Sequence, residues 1–149
     1  MLTPNGPKVI EYNCRFGDPE TQVVLPLLES DLLDIMMATT NGTLADTEVK
    51  FADKNACCVI LASNGYPTAY KKGFEMSFTE EARVATYVAG AKIENGKLVT
   101  SGGRVTGTTA IADSLAEAIK EAYRLSDGVK FEGAYRRTDI GQRALKALN

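Results

Sequence analysis

Residues 8–16 alternate along the chain, with Glu11, Asn13 and Arg15 set between Ile10, Tyr12, Cys14 and Phe16. Successive side chains of a β-strand point to opposite faces. The pattern therefore predicts a strand with one apolar face and one face that carries a carboxylate, an amide and a guanidinium in a row. Such a strand expects sheet neighbours. Gly17 ends it, and residues 18–20 spell a helix start: Asp18 as N-cap, Pro19 at the first helical position and Glu20 in the first turn. That helix is expected to run to about Leu25, where Pro26 interrupts it.

Ahead of the strand, residues 4–7 (Pro-Asn-Gly-Pro) are a turn signal. The arm before them spans only residues 1–3, a hairpin with most of one arm missing, so the chain is expected to start inside a larger domain. After the first helix, Ser30 and Asp31 cap a second, whose apolar face is built from Leu32, Leu33, Ile35, Met36 and Met37, with Gly42 as its C-cap. Beyond residues 41–53 the character changes to short strands. Residues 56–62 (ACCVILA) form a wholly apolar strand and residues 84–92 another. Asn95-Gly96 is a strong hairpin signal before a strand at 97–100. Residues 104–112 are Thr- and Val-rich and strand-like. Asp113 and Ser114 with Glu117 approach a capping box, and Leu115, Ala118, Ile119, Ala122 and Tyr123 recur at helical spacing. A last helix is expected from 138 onward with Asp139 as its cap.

Composition removes several classes of function. The chain has 149 residues, 24% of them charged and 44% hydrophobic, as in a soluble globular protein. Its formal charge is −2, which argues against a nucleic-acid or anionic-membrane surface. No apolar run approaches the roughly 20 residues of a membrane span. Cys14, Cys57 and Cys58 are an odd number, two of them adjacent, which fits a reduced cytoplasm. There is no histidine, so Ser-His-Asp triads, Cys-His pairs and His-based zinc sites are excluded. Chemistry here must run on carboxylates, amides, lysines, arginines and backbone N–H groups.

Four stretches are candidates for it. Glu11 and Asn13, two residues apart on one strand face and roughly 6.5–7 Å apart at Cα, offer the hard oxygen donors that Mg²⁺ prefers. Arg15 lies one step further, where a guanidinium can fork onto a phosphoryl oxygen, and the following helix N-terminus adds N–H groups. The plain alternative is an exposed strand with a Glu11–Arg15 ion pair. Residues 101–107 (SGGRVTG) offer backbone N–H groups to a phosphate or form a simple glycine-rich turn. Residues 66–73 (YPTAYKKG) bring two lysines near an anion or leave them solvated. Arg136 and Arg137 with Asp139 grip a carboxylate or close an ion pair beside a helix cap. Cys57 and Cys58 read as small core residues.

Taken together and in order, VIEYNCRFGDPETQVVLPLLESDLL, LASNGYPTAYKKG, SGGRVTGTTAIADSLAEAIKEAY and FEGAYRRTDIGQRAL closely resemble the C-terminal third of the phosphoribosylamine–glycine ligases, or glycinamide ribonucleotide synthetases, of the ATP-grasp class. The resemblance implies an α+β chain. Residues 1–50 would be the C-terminal edge of an ATP-grasp core, strand plus helices, and residues 51–149 a small barrel-like α+β C-terminal domain. It implies ATP as co-substrate, Mg²⁺ or Mn²⁺ as metal, and glycine and 5-phosphoribosylamine as substrates, joined through glycyl phosphate in purine synthesis. By position Glu11 and Asn13 match the metal ligands and Arg15 an arginine near the γ-phosphate. Gly17 and Asp18 match the turn beside the substrates, and Gly102, Gly103 and Arg104 a loop that approaches them; the resemblance implies Arg15 and Asp18 as catalytic residues and Gly17, Gly102, Gly103 and Arg104 as cofactor-binding ones. The lysine-bearing ATP-grasp subdomain and the N-terminal domain of the family have no counterpart here, so the isolated chain is expected to be inactive. The competing expectation is a free-standing binding or carrier module. A carrier needs its modified lysine at a hairpin tip between apolar neighbours, which Lys71-Lys72 lacks.

Overall fold

Two long runs rich in β-branched and small residues, residues 55–63 and 104–112, favour a pleated, doubly covered surface. In the computed structural model, which describes residues 1–12 and 14–148, they are the two longest strands and lie side by side. The chain begins with β1 (Leu2–Thr3), β2 (Gly6–Pro7), α1 (Thr21–Val24) and a 3₁₀ turn at Leu25–Leu27. It continues through α2 (Leu32–Asn41), a 3₁₀ turn at Leu44–Asp46, β3 (Asn55–Ser63), β4 (Ser77–Phe78), α3 (Glu80–Val84) and β5 (Thr86–Val88). It ends with β6 (Ala91–Glu94), β7 (Lys97–Thr100), β8 (Arg104–Ala112), α4 (Leu115–Ser126), β9 (Val129–Lys130), β10 (Ala134–Tyr135) and α5 (Gln142–Leu148).

The central sheet has the order β10-β3-β8-β5, with every pair antiparallel. Small two-stranded pairs, β4 with β9 and β6 with β7, stand beside it. Among the described residues the sheet is open: no strand pairing closes it into a barrel. Between β3 and β8 the register runs from Asn55 opposite Ala112 to Leu61 opposite Thr106. It then slips, and Ala62 pairs with Arg104. Val105 is thus an extra residue, a β-bulge. It shares the core with Leu61, while Arg104 moves to the opposite face, beside Ala62.

One face of this pair is buried by α4. Ser114 caps α4 through its hydroxyl, which accepts from Glu117 N and donates to the Glu117 carboxylate, as the sequence predicts. Ala118, Ile119 and Ala122 of α4 pack on Cys57, Val59 and Ala110. The rest of that face is covered by Met76, Ala82, Val129 and Phe131 over Leu61 and Val105. The Asn95-Gly96 turn takes φ of 49° and 77°, the left-handed pair that a two-residue hairpin requires. Asp31 caps α2 through Leu33 N and Asp34 N, and Gly42, at φ 73°, ends it.

Three expectations are corrected. The strand at residues 8–16 does not form among the described residues. The small hairpin returns only through β2, with Lys8 N donating to Met1 O, and no neighbouring strand is available to pair with the residues beyond it. Its apolar side chains are accordingly exposed, Val9 at 67%, Ile10 at 70% and Tyr12 at 81%. Residues 84–92 are not one strand. Thr79 caps α3 through Ala82 N, Glu80 and Glu81 fill its first turn, and the helix runs through Val84 before β5 and β6 begin. The last helix starts at Gln142 and not at 138, because Gly141 takes φ of 79°, a left-handed conformation that a right-handed helix does not contain.

Ile119 is 4% exposed and sits at the centre of the α4 contact. Ile119→Ala is expected to lower stability in urea unfolding by about 2–5 kcal/mol, transfer plus cavity. The three thiols are free, and burial pushes Cys57 up to about 11, so it stays protonated and closed at pH 8. Iodoacetamide at that pH is expected to label exposed Cys14 within minutes and to reach Cys57 only after denaturation, as read by peptide mass spectrometry.

Candidate functional site

The site assembles where the turn after Arg15 meets the outer face of the central sheet. Glu20 precedes the short α1 without capping it through its side chain. Asp18, expected as N-cap, is employed otherwise. One of its oxygens accepts from Gln22 Nε2 at 2.9 Å, and the other is paired with Arg104 Nη2 at 3.0 Å. A second tie runs from Thr109 Oγ1 to Gln22 O at 2.8 Å. The turn is therefore anchored to β8 at two points, through Arg104 and Thr109.

Upstream, Glu11 and Arg15 are exposed. Among the described residues no ion pair joins them; Arg15 Nη1 donates to Phe16 O at 3.2 Å. Asn13, the second expected metal ligand, lies outside the described residues. Among those described, no cluster of three or more His, Cys, Asp or Glu is arranged to hold a metal ion.

The glycine loop serves packing. Ser101 N and Gly102 N both donate to Gly90 O, at 2.7 and 2.9 Å, and Gly90 N donates to Arg104 O. The N–H groups of Ser101 and Gly102, expected to face a phosphate, are thus bonded within the fold. The carbonyls of Gly102 and Gly103 accept from Ser63 Oγ and Ser63 N. A Cβ on Gly102 would stand 2.9 Å from Gly90 Cα, and one on Gly103 would overlap the Tyr66 ring. These glycines allow backbone to meet backbone and ring to cover backbone.

Arg104, Tyr66, Tyr135 and Pro19 rim a cleft of about 490 Å³ on this outer face, floored by Cys58, Ile60 and Ala62. Arg136 and Arg137 border it as well, but both are engaged. Arg136 grips the end of α4 through Tyr123 O, Ser126 Oγ and Asp127 Oδ1, and its guanidinium lies 5.1 Å from the Tyr123 ring centroid. Arg137 forks onto Asp139 at 2.8 and 2.7 Å, which holds the Asp139 carboxyl below its usual range. The 66–73 loop forms a separate cleft of about 540 Å³ that includes Lys71 and Glu132. Lys72 lies over the Tyr70 ring at 5.6 Å. Sequence reasoning flagged Asp18 and Arg104 separately and missed that they meet. Arg104 opens a Thr- and Val-rich strand, and the bulge is what turns it to the outer face.

Among the described residues no helix is long and apolar enough to cross a membrane. The family model for the C domain of phosphoribosylglycinamide synthetase matches residues 56–143, and the model for its ATP-grasp (A) domain matches residues 1–21. A phosphoribosylamine–glycine ligase from Caldanaerobacter subterraneus is 54% identical over 94% of this chain and 34% of its own length. The human trifunctional purine biosynthetic protein adenosine-3 is 47% identical over 99% of this chain and 15% of its own. The crystal structure of phosphoribosylamine–glycine ligase from Thermotoga maritima superposes with a TM-score of 0.76 at 36% identity, over 94% of this chain and 35% of that one. The chain thus spans about a third of the length of the single-function ligases it matches, and it belongs to the phosphoribosylglycinamide synthetase family.

Proposed function

We propose that this chain provides the metal-bearing edge and the C-terminal domain of a phosphoribosylamine–glycine ligase, divided near residue 50. The observation that carries the reading is the family match in two pieces. An ATP-grasp segment and a C-domain segment follow one another in one chain, and hydrogen bonds from Arg104 and Thr109 tie the first to the second. The reaction would join glycine to 5-phosphoribosylamine with ATP. A glycine carboxylate oxygen attacks the γ-phosphorus and ADP leaves. The phosphoribosylamine nitrogen then attacks the acyl carbon of glycyl phosphate, phosphate leaves, and the amine gives up a proton. No protein nucleophile is needed, in keeping with a chain that has no histidine.

Glu11 and Asn13 offer a carboxylate and an amide carbonyl, a donor set suited to Mg²⁺ or Mn²⁺. When bound, the ion would neutralise charge on the ATP phosphates. Arg15 would present its guanidinium to the transferred phosphoryl group, where charge builds in the transition state. Gly17 would keep the turn beside the substrates compact. Asp18, a carboxylate already shared by Gln22 and Arg104, would hold that turn in place. Purine synthesis in the cytoplasm fits three free thiols. A carrier module is the weaker reading, because Lys71 and Lys72 lie in the loop between β3 and β4 and Lys72 is spent on Tyr70.

The test is a chimaera in which this chain replaces the matching third of the Caldanaerobacter ligase. It is expected to make glycinamide ribonucleotide from glycine, phosphoribosylamine and ATP, whereas the 149-residue chain alone turns over nothing and binds ATP no tighter than millimolar by calorimetry. In the chimaera, Arg15→Ala is expected to lower kcat about 10²-fold with a smaller change in KM for ATP. An unchanged kcat would return Arg15 to the solvent-exposed surface, and an inactive chimaera that folds would refute the ligase reading itself.

A further inference from the structure

The structure assigns Arg104 a positioning role: through Asp18 it holds the turn at residues 17–22 against the outer face of the central sheet, without itself contacting substrate or nucleotide. The inference rests on the ligase reading for its catalytic consequence, but its geometry is independent of that reading. Regular alternation along β8 would put Arg104 on the same face as Thr106. That face is closed by the core, where Thr106 is 1% exposed. The bulge at Val105 reverses this, pairs Arg104 with Ala62 and aims the guanidinium outward. There it meets a carboxylate 86 positions away in the chain.

The Asp18 carboxylate is then fully used, one oxygen by Arg104 and one by Gln22. Gln22 in turn leaves its own Oε1 buried without a partner, while its amide N–H is spent on Asp18 and its backbone carbonyl takes the Thr109 hydroxyl. Gly107 leaves the room, since a Cβ there would already press on Cys58 Sγ and Ile60 Cδ1 at 3.0 Å beneath Gln22. The pair is part-exposed, with side-chain exposures of 40% and 45%, so its role is to fix a turn and not to stabilise the domain at large.

Two measurements decide it. In the 149-residue chain, Arg104→Ala is expected to speed amide hydrogen exchange at Thr21, Val23 and Val24, which bond to Gly17 O and Glu20 O. The acceleration should be about two- to fivefold, the range of a part-exposed ion pair. Amides of β3 and β8 should not change, Arg104→Lys should recover part of the protection, and Asp18→Ala/Arg104→Ala should exchange no faster than Asp18→Ala alone, which already loses the Gln22 bond as well. Acceleration spread over β3 and β8, or none at the turn, overturns the proposal. In the chimaeric ligase, the double variant should lose no more kcat than Asp18→Ala alone. Losses that add, with a raised KM on Arg104→Ala alone, would mean that Arg104 touches a substrate and would equally overturn it. If the unsubstituted chimaera is inactive, the ligase reading falls while the exchange measurement still decides the role of Arg104.

Discussion

The pairing of β3 with β8 places everything else. Both strands must be covered on two faces, and the two coverings differ in kind. On one face α4 supplies Ala118, Ile119 and Ala122, small and branched side chains that let helix and sheet close over Cys57, Val59 and Ala110. On the other face the cover is thin: a short helix, its turn, and a cleft. The hydrophobic drive that stabilises the first face fixes the plane on which the second is built. A single extra residue in β8 then decides which side chain appears at the edge of the second face.

That division explains what could be read in advance. The caps at Asp31 and Ser114, the turn at Asn95-Gly96 and the strands around residues 56–62 and 104–112 are local decisions, each made by residues within a few positions of one another. Where reading failed, a distant partner or a missing one outweighed the local preference. Residues 8–16 have a clean alternation but, among the described residues, no strand beside them, and a lone strand leaves its N–H and C=O groups unpaired. Asp18 has every local reason to cap a helix and is drawn instead to Arg104. Residues 84–92 look extended, yet the Thr79 cap and two acidic first-turn residues carry a helix through Val84.

The site obeys the same rule. The residue types along residues 8–16 were legible as a spacing, and the family of the chain was legible from the ordered set of motifs. The wall against which the turn rests was not. Arg104 reads as one residue of a glycine-rich loop, and nothing nearby states that it will face Asp18. The glycines of that loop read either as a phosphate cradle or as a plain turn, and in the fold Gly102 meets Gly90 so closely that the N–H groups of both bond to backbone carbonyls. A glycine signals close approach; what approaches is settled by the tertiary fold.

The hairpin of β6 and β7 and the helix α4 can form from neighbours in sequence, on the fast timescales of local structure. The β3–β8 pair closes a loop that contains β4, α3, β5 and the whole hairpin, and loop closure of that kind sets the pace of folding. The tie between Asp18 and Arg104 spans farther still, 86 positions, and it has no surface to dock on until β8 has entered the sheet with its bulge. On a ribosome, residues 17–22 are made before residue 104 and must wait for it. The turn cannot take its observed shape before that pairing exists, and its arrival reports that β3 and β8 have already met beneath it.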